Sequence, residues 1–193
     1  MNRIFCIMGK SSSGKDSVYR SVIMRPDIEP LVIYTTRPMR ENELDGREYH
    51  FVDRQVFDTM TAQGKVIESR IYNTVHGEWI YFTSAENIDL SKHSYAVIGT
   101  LESYLPIKKY FGADTVVPVY LEVEDGLRLI RAIERERQEE NPKYAELCRR
   151  FLADSEDFSE EKLAQAGIVR RFSNNSSYEE CLAEVMDFIS EHY

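Results

Sequence analysis

Apolar and polar residues alternate between two rhythms along this chain. Ile4-Phe5-Cys6-Ile7-Met8 is an unbroken apolar run of strand length, and its lack of alternation predicts a strand covered on both faces, as in a parallel sheet. A glycine- and serine-rich turn follows. From Lys15 the apolar positions Val18, Val22 and Ile23 take helical spacing until Pro26 stops them. Residues 31–34 read as a second strand and residues 35–47 as a long polar loop. Three short stretches, 49–52, 66–72 and 79–82, are rich in β-branched and aromatic residues, with one helical piece at 56–62 between them; together they predict a small antiparallel subdomain. Residues 95–99 and 115–121 return to buried-type strands, each followed by a helical pattern, with Pro118 an awkward guest in the second. The charged stretch 124–163 reads as two helices broken near Asn141-Pro142. In its first half Leu127, Ile130 and Ile133 recur every three residues as an apolar stripe, while Arg128, Arg131 and Arg135 share another face. A strand at 168–172 and a helix at 178–189 close the pattern. The whole predicts one α/β domain with a parallel sheet flanked by helices and an inserted small sheet.

Composition narrows the chemistry. The 193 residues are 42% hydrophobic and 30% charged, the range of a folded globular chain. The apolar run after Met1-Asn2-Arg3 is too short for a secretory core or a bilayer span, so a cytoplasmic protein with no membrane partner is expected. The formal charge of −9 disfavours a nucleic-acid partner but leaves room for a small anion held by local positive charge. Two stretches supply such charge, residues 37–47 and 128–150. Cys6, Cys148 and Cys181 are odd in number and far apart, and His50, His76, His93 and His192 are scattered, so reduced thiols are expected and a zinc site is not.

Gly9-Lys10-Ser11-Ser12-Ser13-Gly14-Lys15 fits G-x-x-x-x-G-K and lies between the first strand and the first helix. In that position the glycines let the backbone curl until successive N–H groups point into one concavity, to which the helix N-terminus adds partial positive charge. A polyphosphate suits such a cradle, with Lys15 reaching the β- and γ-phosphate oxygens. The expected ATP site is therefore Gly9 to Lys15 with Asp16 and Ser17. Asp16 stands where a Ser or Thr hydroxyl usually binds Mg²⁺; a carboxylate could hold the ion directly or through water. Taken alone, the segment would also serve as a plain strand-to-helix turn.

Downstream, Thr35-Thr36-Arg37-Pro38-Met39-Arg40 leads through Glu43, Gly46 and Tyr49 to Phe51-Val52. Two arginines three residues apart can grip a monophosphate with forked, charge-assisted hydrogen bonds, and Tyr49 can add a phenol donor. The stretch resembles the T-T-R-x-x-R-x-x-E-x-x-G-x-x-Y-x-F-V signature of guanylate kinases. That resemblance runs along most of the chain, closest up to Val52. It implies a P-loop core at 1–32, 92–123 and 155–193, a nucleoside monophosphate (NMP)-binding subdomain of mixed or antiparallel strands at 33–91, and a helical lid at 124–154. The activity it implies is ATP + GMP = ADP + GDP, with Mg²⁺ accompanying ATP. Arg37, Arg40, Tyr49, Glu68 and His76 would bind GMP, Glu68 at the place of a guanine-reading carboxylate. Lys15, Arg37, Arg131, Arg135 and Arg150 would be catalytic, the last three carried by the lid. Arg128 and Arg137 are expected only to pair with glutamates on the helix surface. Two departures stand out: Ile33 replaces a phosphate-binding serine, and Gly99-Thr100-Leu101 replaces an acidic pair for which Glu102 could substitute. They leave open a P-loop kinase with another phosphorylated acceptor, or a non-catalytic binding module of the same fold.

Overall fold

The computed structural model describes residues 1–74 and 77–193. Its centre is a five-stranded parallel sheet with the order β2-β7-β1-β8-β9, built from β1 (Ile4–Gly9), β2 (Ile28–Pro30), β7 (Ser94–Ile98), β8 (Val116–Glu122) and β9 (Arg171–Ser173). Strand β1 explains its own unbroken apolar run. Ile4, Cys6 and Met8 pack on one face with Leu101, Tyr104 and Ile107 of α3 (Leu101–Phe111), and Phe5 and Ile7 on the other with Val18 and Val22 of α1 (Lys15–Val22). On that second face α7 (Tyr178–Glu191) adds Cys181, Val185 and Ile189. Pro118 is tolerated because β9 pairs with β8 only from Tyr120 onward, so the strand is still an edge on that side at the proline.

The second sheet, ordered β4-β3-β6-β5, is mixed. It comprises β3 (Tyr34–Thr35), β4 (His50–Phe51), β5 (Val66–Thr74) and β6 (Gly77–Ser84), and α2 (Arg54–Ala62) covers it through Phe57 and Met60 against Ile80 and Phe82. The strand expected at 31–34 is split: pairing with β7 falls on Ile28–Pro30 and pairing with β6 on Tyr34–Thr35, with the chain passing from one sheet to the other between them.

The charged stretch holds three helices rather than two: α4 (Asp125–Glu136), α5 (Tyr144–Asp157) and α6 (Glu160–Gln165), the last capped by the Ser159 side chain. The apolar stripe of α4 faces outward, contrary to its periodicity. Ile130 and Ile133 are 54% and 38% exposed, whereas Arg128, Ala132 and Glu136 are buried. The reason is a set of oxygens on the inner side, described below, which an arginine satisfies and an isoleucine cannot. No helix among the described residues is long and apolar enough to cross a membrane.

Candidate active site

Strand β1 delivers Gly9 to the C-terminal edge of the sheet at the strand flanked by β7 and β8, where open parallel sheets characteristically bind ligands. Packing leaves the loop no freedom for side chains at its glycines. A Cβ on Gly9 would lie 2.6 Å from Ser13 Oγ and 2.8 Å from the Leu121 carbonyl oxygen; one on Gly14, where φ is +90°, would lie 2.5 Å from Asn174 Nδ2. Asn174 Nδ2 donates to the Ser13 carbonyl at 2.9 Å and braces the loop from behind. The hydroxyls of Ser12 and Ser13 are buried and find no partner among the described residues. The Ser11 amide already donates to Asp154 Oδ2 at 2.7 Å, so one loop N–H holds an anionic oxygen, as the curled backbone favours. Lys15 opens α1 with its Nζ 3.7 Å from Asp16 Oδ2, and Lys10 Nζ donates to Asp125 Oδ1 at 3.3 Å.

The arginine loop is more constrained than its sequence suggests. Arg37 is buried: its NH1 and NH2 donate to Glu43 at 2.9 and 2.8 Å, NH1 also to the Pro38 carbonyl, and Nε to the Tyr81 hydroxyl at 3.1 Å. Glu43 additionally accepts from the Arg40 amide at 2.8 Å. That fork holds the Glu43 carboxyl below its ordinary range, and Glu43 in turn raises the Arg37 guanidinium. With four of its five N–H groups engaged, Arg37 braces the loop, and the exposed Arg40 is the freer cation of the pair. Tyr49 packs edge-on against Tyr81 with centroids 5.4 Å apart and beneath the Arg37 guanidinium. Burial raises its phenol above the ordinary value, which keeps it a neutral O–H donor.

Glu68 is buried on β5, opposite Thr83 of β6, in a register set by a bulge between Val66 and Glu68. Thr83 Oγ1 donates to Glu68 Oε1 at 2.6 Å, and Arg70 donates through Nε and NH2 at 3.1 and 3.4 Å. Tyr81 and Arg70, which border a cleft described below, and Thr83, which holds Glu68, were passed over in the sequence. Their signal was the two-residue alternation that places Glu68, Arg70 and Tyr72 on one face, across from Thr83, Tyr81 and Trp79. His76 lies outside the described residues. Glu102 is exposed in the first turn of α3 and takes no part in the cleft wall, whereas Gly99, Thr100 and Ile33 do.

Arg128, expected on the surface, is 1% exposed and ties α4 to the loop. Its Nε and NH2 donate to Asp125 Oδ1 at 3.1 and 2.7 Å, its NH1 donates to the Ser11 carbonyl at 3.1 Å and lies 3.7 Å from Asp154, and the guanidinium stacks 4.6 Å from the Phe151 ring. Arg131 NH2 donates to the Asn174 carbonyl at 3.0 Å. Arg135 and Arg150 line a cavity of about 660 Å³ together with Arg40. The structure thus gathers three arginines from the loop after β3, from α4 and from α5 around one space.

A larger cavity, about 880 Å³, is walled on one side by Gly9, Lys15 and Asp16 and on the other by Tyr49, Arg70 and Tyr81. Fold and site together define a P-loop α/β protein whose glycine-rich loop shares a cleft with Tyr49, Arg70 and Tyr81 of the inserted segment. The guanylate kinase family model matches residues 1–97, half of the chain, and this protein belongs to the guanylate kinase family. It is 41% identical over 76 residues to a guanylate kinase of Syntrophotalea carbinolica, a match covering 38% of this chain and 36% of that one. With a guanylate kinase of Nitrosomonas europaea it shares 35% identity over 95 residues, 47% of each chain. The matched segments therefore span less than half the length of these relatives. The crystal structure of guanylate kinase from Anaplasma phagocytophilum superposes with a TM-score of 0.64 at 20% identity, covering 98% of this chain and 85% of that one, a likeness of fold.

Proposed function

We propose that this protein transfers the γ-phosphate of ATP to GMP, giving ADP and GDP. The observation that carries the reading is the single cavity walled by both Lys15 of the phosphate loop and Tyr49 and Tyr81 of the acceptor sheet, which would let donor and acceptor phosphates meet in line. In this reading the core spans 1–32, 92–123 and 155–193, the acceptor subdomain 33–91 and the lid 124–154. The loop from Gly9 to Ser17 holds the ATP phosphates. Arg40 and Tyr49 grip the GMP phosphate with the fifth N–H of Arg37, and Glu68 accepts from the guanine ring. Arg131, Arg135 and Arg150 neutralise charge on the transferring group as α4 and α5 close.

Mg²⁺ fits the donor set. Among the described residues no group of three or more acidic, histidine or cysteine side chains surrounds a point, so the ion would take one carboxylate, Asp16, with phosphate oxygens and water, as Mg²⁺ commonly does. Bound there, it would screen the β- and γ-phosphate charge. Such an enzyme belongs in the cytoplasm, with ATP and GMP as its partners.

The test is ADP release by the purified protein with GMP, dGMP, AMP, CMP, UMP and ribose phosphates as acceptors. Turnover is expected with the guanine nucleotides well above the rest. Equal turnover whatever the base, or none with any nucleotide, would overturn the reading.

A further inference from the structure

At the base-reading end Arg70 lines the 880 Å³ cavity, and the Glu68 side chain, 3% exposed, is hydrogen-bonded to it. Two N–H groups of Arg70 reach the carboxylate, and among the described residues its hydrogen bonds go to Glu68 alone. Since a guanidinium carries five N–H donors, three remain for a ligand. Its side chain is 11% exposed, and its place on β5 is fixed by pairing with Tyr81, whose ring borders the same cavity. A nearly buried, charge-balanced arginine with spare donors facing a ligand cavity is suited to a ring edge that carries acceptors.

We propose that Arg70 is a second specificity-determining residue, donating to the O6 and N7 acceptors of a 6-oxopurine while Glu68 accepts from the N1–H and the 2-amino group. This rests on the reading that the acceptor is GMP. Glu68 offers about four acceptor sites, and Thr83 and Arg70 occupy three of them. Guanine brings two donors, so one present bond must yield, and the long Arg70 NH2 contact at 3.4 Å is the one least costly to lose. The freed N–H is then available to the purine. Adenine keeps the N7 acceptor but presents a 6-amino donor where O6 would stand, donor against donor, so the bidentate contact is lost.

The inference separates from a mere prop for Glu68 by comparing GMP with IMP, which keeps O6, N7 and N1–H but lacks the 2-amino group. Trp79 is the single tryptophan and borders the cavity, so its fluorescence reports binding without turnover. Dissociation constants for GMP, IMP, AMP and ATP are measured on the wild type, Arg70→Ala, Arg70→Lys and Glu68→Gln. Arg70→Ala is expected to weaken GMP and IMP by the same factor, about tenfold for one lost bidentate contact, with AMP within about twofold. Glu68→Gln is expected instead to lower the GMP-to-IMP ratio. Arg70→Lys, which keeps the charge but not the fork, should recover only part of the loss. ATP affinity reports folding; where Arg70→Ala loses it, Arg70→Lys carries the comparison.

An Arg70 variant that shifts the GMP-to-IMP ratio would reduce the residue to a support for Glu68, and one that weakens GMP, IMP and AMP equally would make it a phosphate contact. Either result, or unchanged affinity for GMP and IMP, overturns the inference. If the wild type phosphorylates GMP while Arg70→Ala is silent, only this inference falls. If the wild type binds no purine monophosphate, the GMP reading falls with it.

Discussion

Arg37 and Arg40 stand three residues apart in the same loop yet carry different duties. Arg37 spends its fork on Glu43 and Tyr81, while Arg40 lines the cavity it shares with Arg135 and Arg150. Arg40→Ala should therefore raise KM for GMP by about tenfold, the value of one charge-assisted hydrogen bond, with kcat little changed. Lys15→Ala should do the reverse, lowering kcat about a hundredfold, because its ammonium matters most as charge builds on the β- and γ-phosphates. Steady-state kinetics decide both, and identical kinetics in the two variants would contradict the assignment. The Arg37–Glu43 pair also sets a pH dependence. Glu43 has a lowered carboxyl value when folded, so its stabilising effect is complete above the unfolded carboxyl value near about 4.3 and fades as pH falls through the lower folded value. Wild type should thus be more stable than Glu43→Gln at neutral pH in urea titrations, and the gap should close in acid. The spacing of the arginines was legible in the sequence. Which of them keeps its donors free was not, because that depends on where Glu43 and Tyr81 fold back to.

Helix α4 shows how a periodic pattern can give a face correctly and its environment wrongly. Leu127, Ile130 and Ile133 do share a side of the helix, but the inner side belongs to Arg128, which meets Asp125, Asp154, the Ser11 carbonyl and the Phe151 ring. Spacing reveals which residues lie together; it carries no information about the oxygens of a loop more than a hundred positions earlier in the chain. Arg128→Ala would leave Asp154 without its cation beside the phosphate loop. A loss on the order of 3 kcal/mol in unfolding free energy is expected by chemical denaturation. A loss below about 0.5 kcal/mol would mean that the guanidinium is as dispensable as an ordinary surface charge. At β5 and β6 the limit was of another kind. The alternation of Glu68, Arg70 and Tyr72 was readable, and so was that of Trp79, Tyr81 and Thr83, but the bulge that sets Glu68 against Thr83 has no sequence signature of its own. At Gly14 the need for a curled backbone was legible and the packing of Asn174 behind it was not: at φ +90° with Asn174 Nδ2 2.5 Å from a would-be Cβ, Gly14→Ala should lose both stability and ATP affinity.

At the scale of the molecule the order β2-β7-β1-β8-β9 brings the ends of two distant segments to one place. The glycine-rich loop leaves β1 at the centre of the sheet, and the second sheet, inserted between β2 and β7, borders the same cavity as that loop. The parallel sheet was readable because β1, β7 and β8 are apolar on both faces, and the inserted sheet because its strands are short and aromatic. That Lys15 of the glycine-rich loop and Tyr49 and Tyr81 of the inserted segment border one cavity was not readable, since it depends on how the second sheet sits over the first. The claim on which the account rests is that shared cavity, and a compound joining adenosine and guanosine through a chain of phosphates probes it directly. Titrated calorimetrically, it should bind one per chain and about a hundredfold or more tighter than ATP or GMP alone, because the second site is engaged intramolecularly. Both Lys15→Ala and Tyr49→Phe should weaken it. Binding no tighter than the better of the two single nucleotides, or binding indifferent to one of those substitutions, would contradict a common cleft.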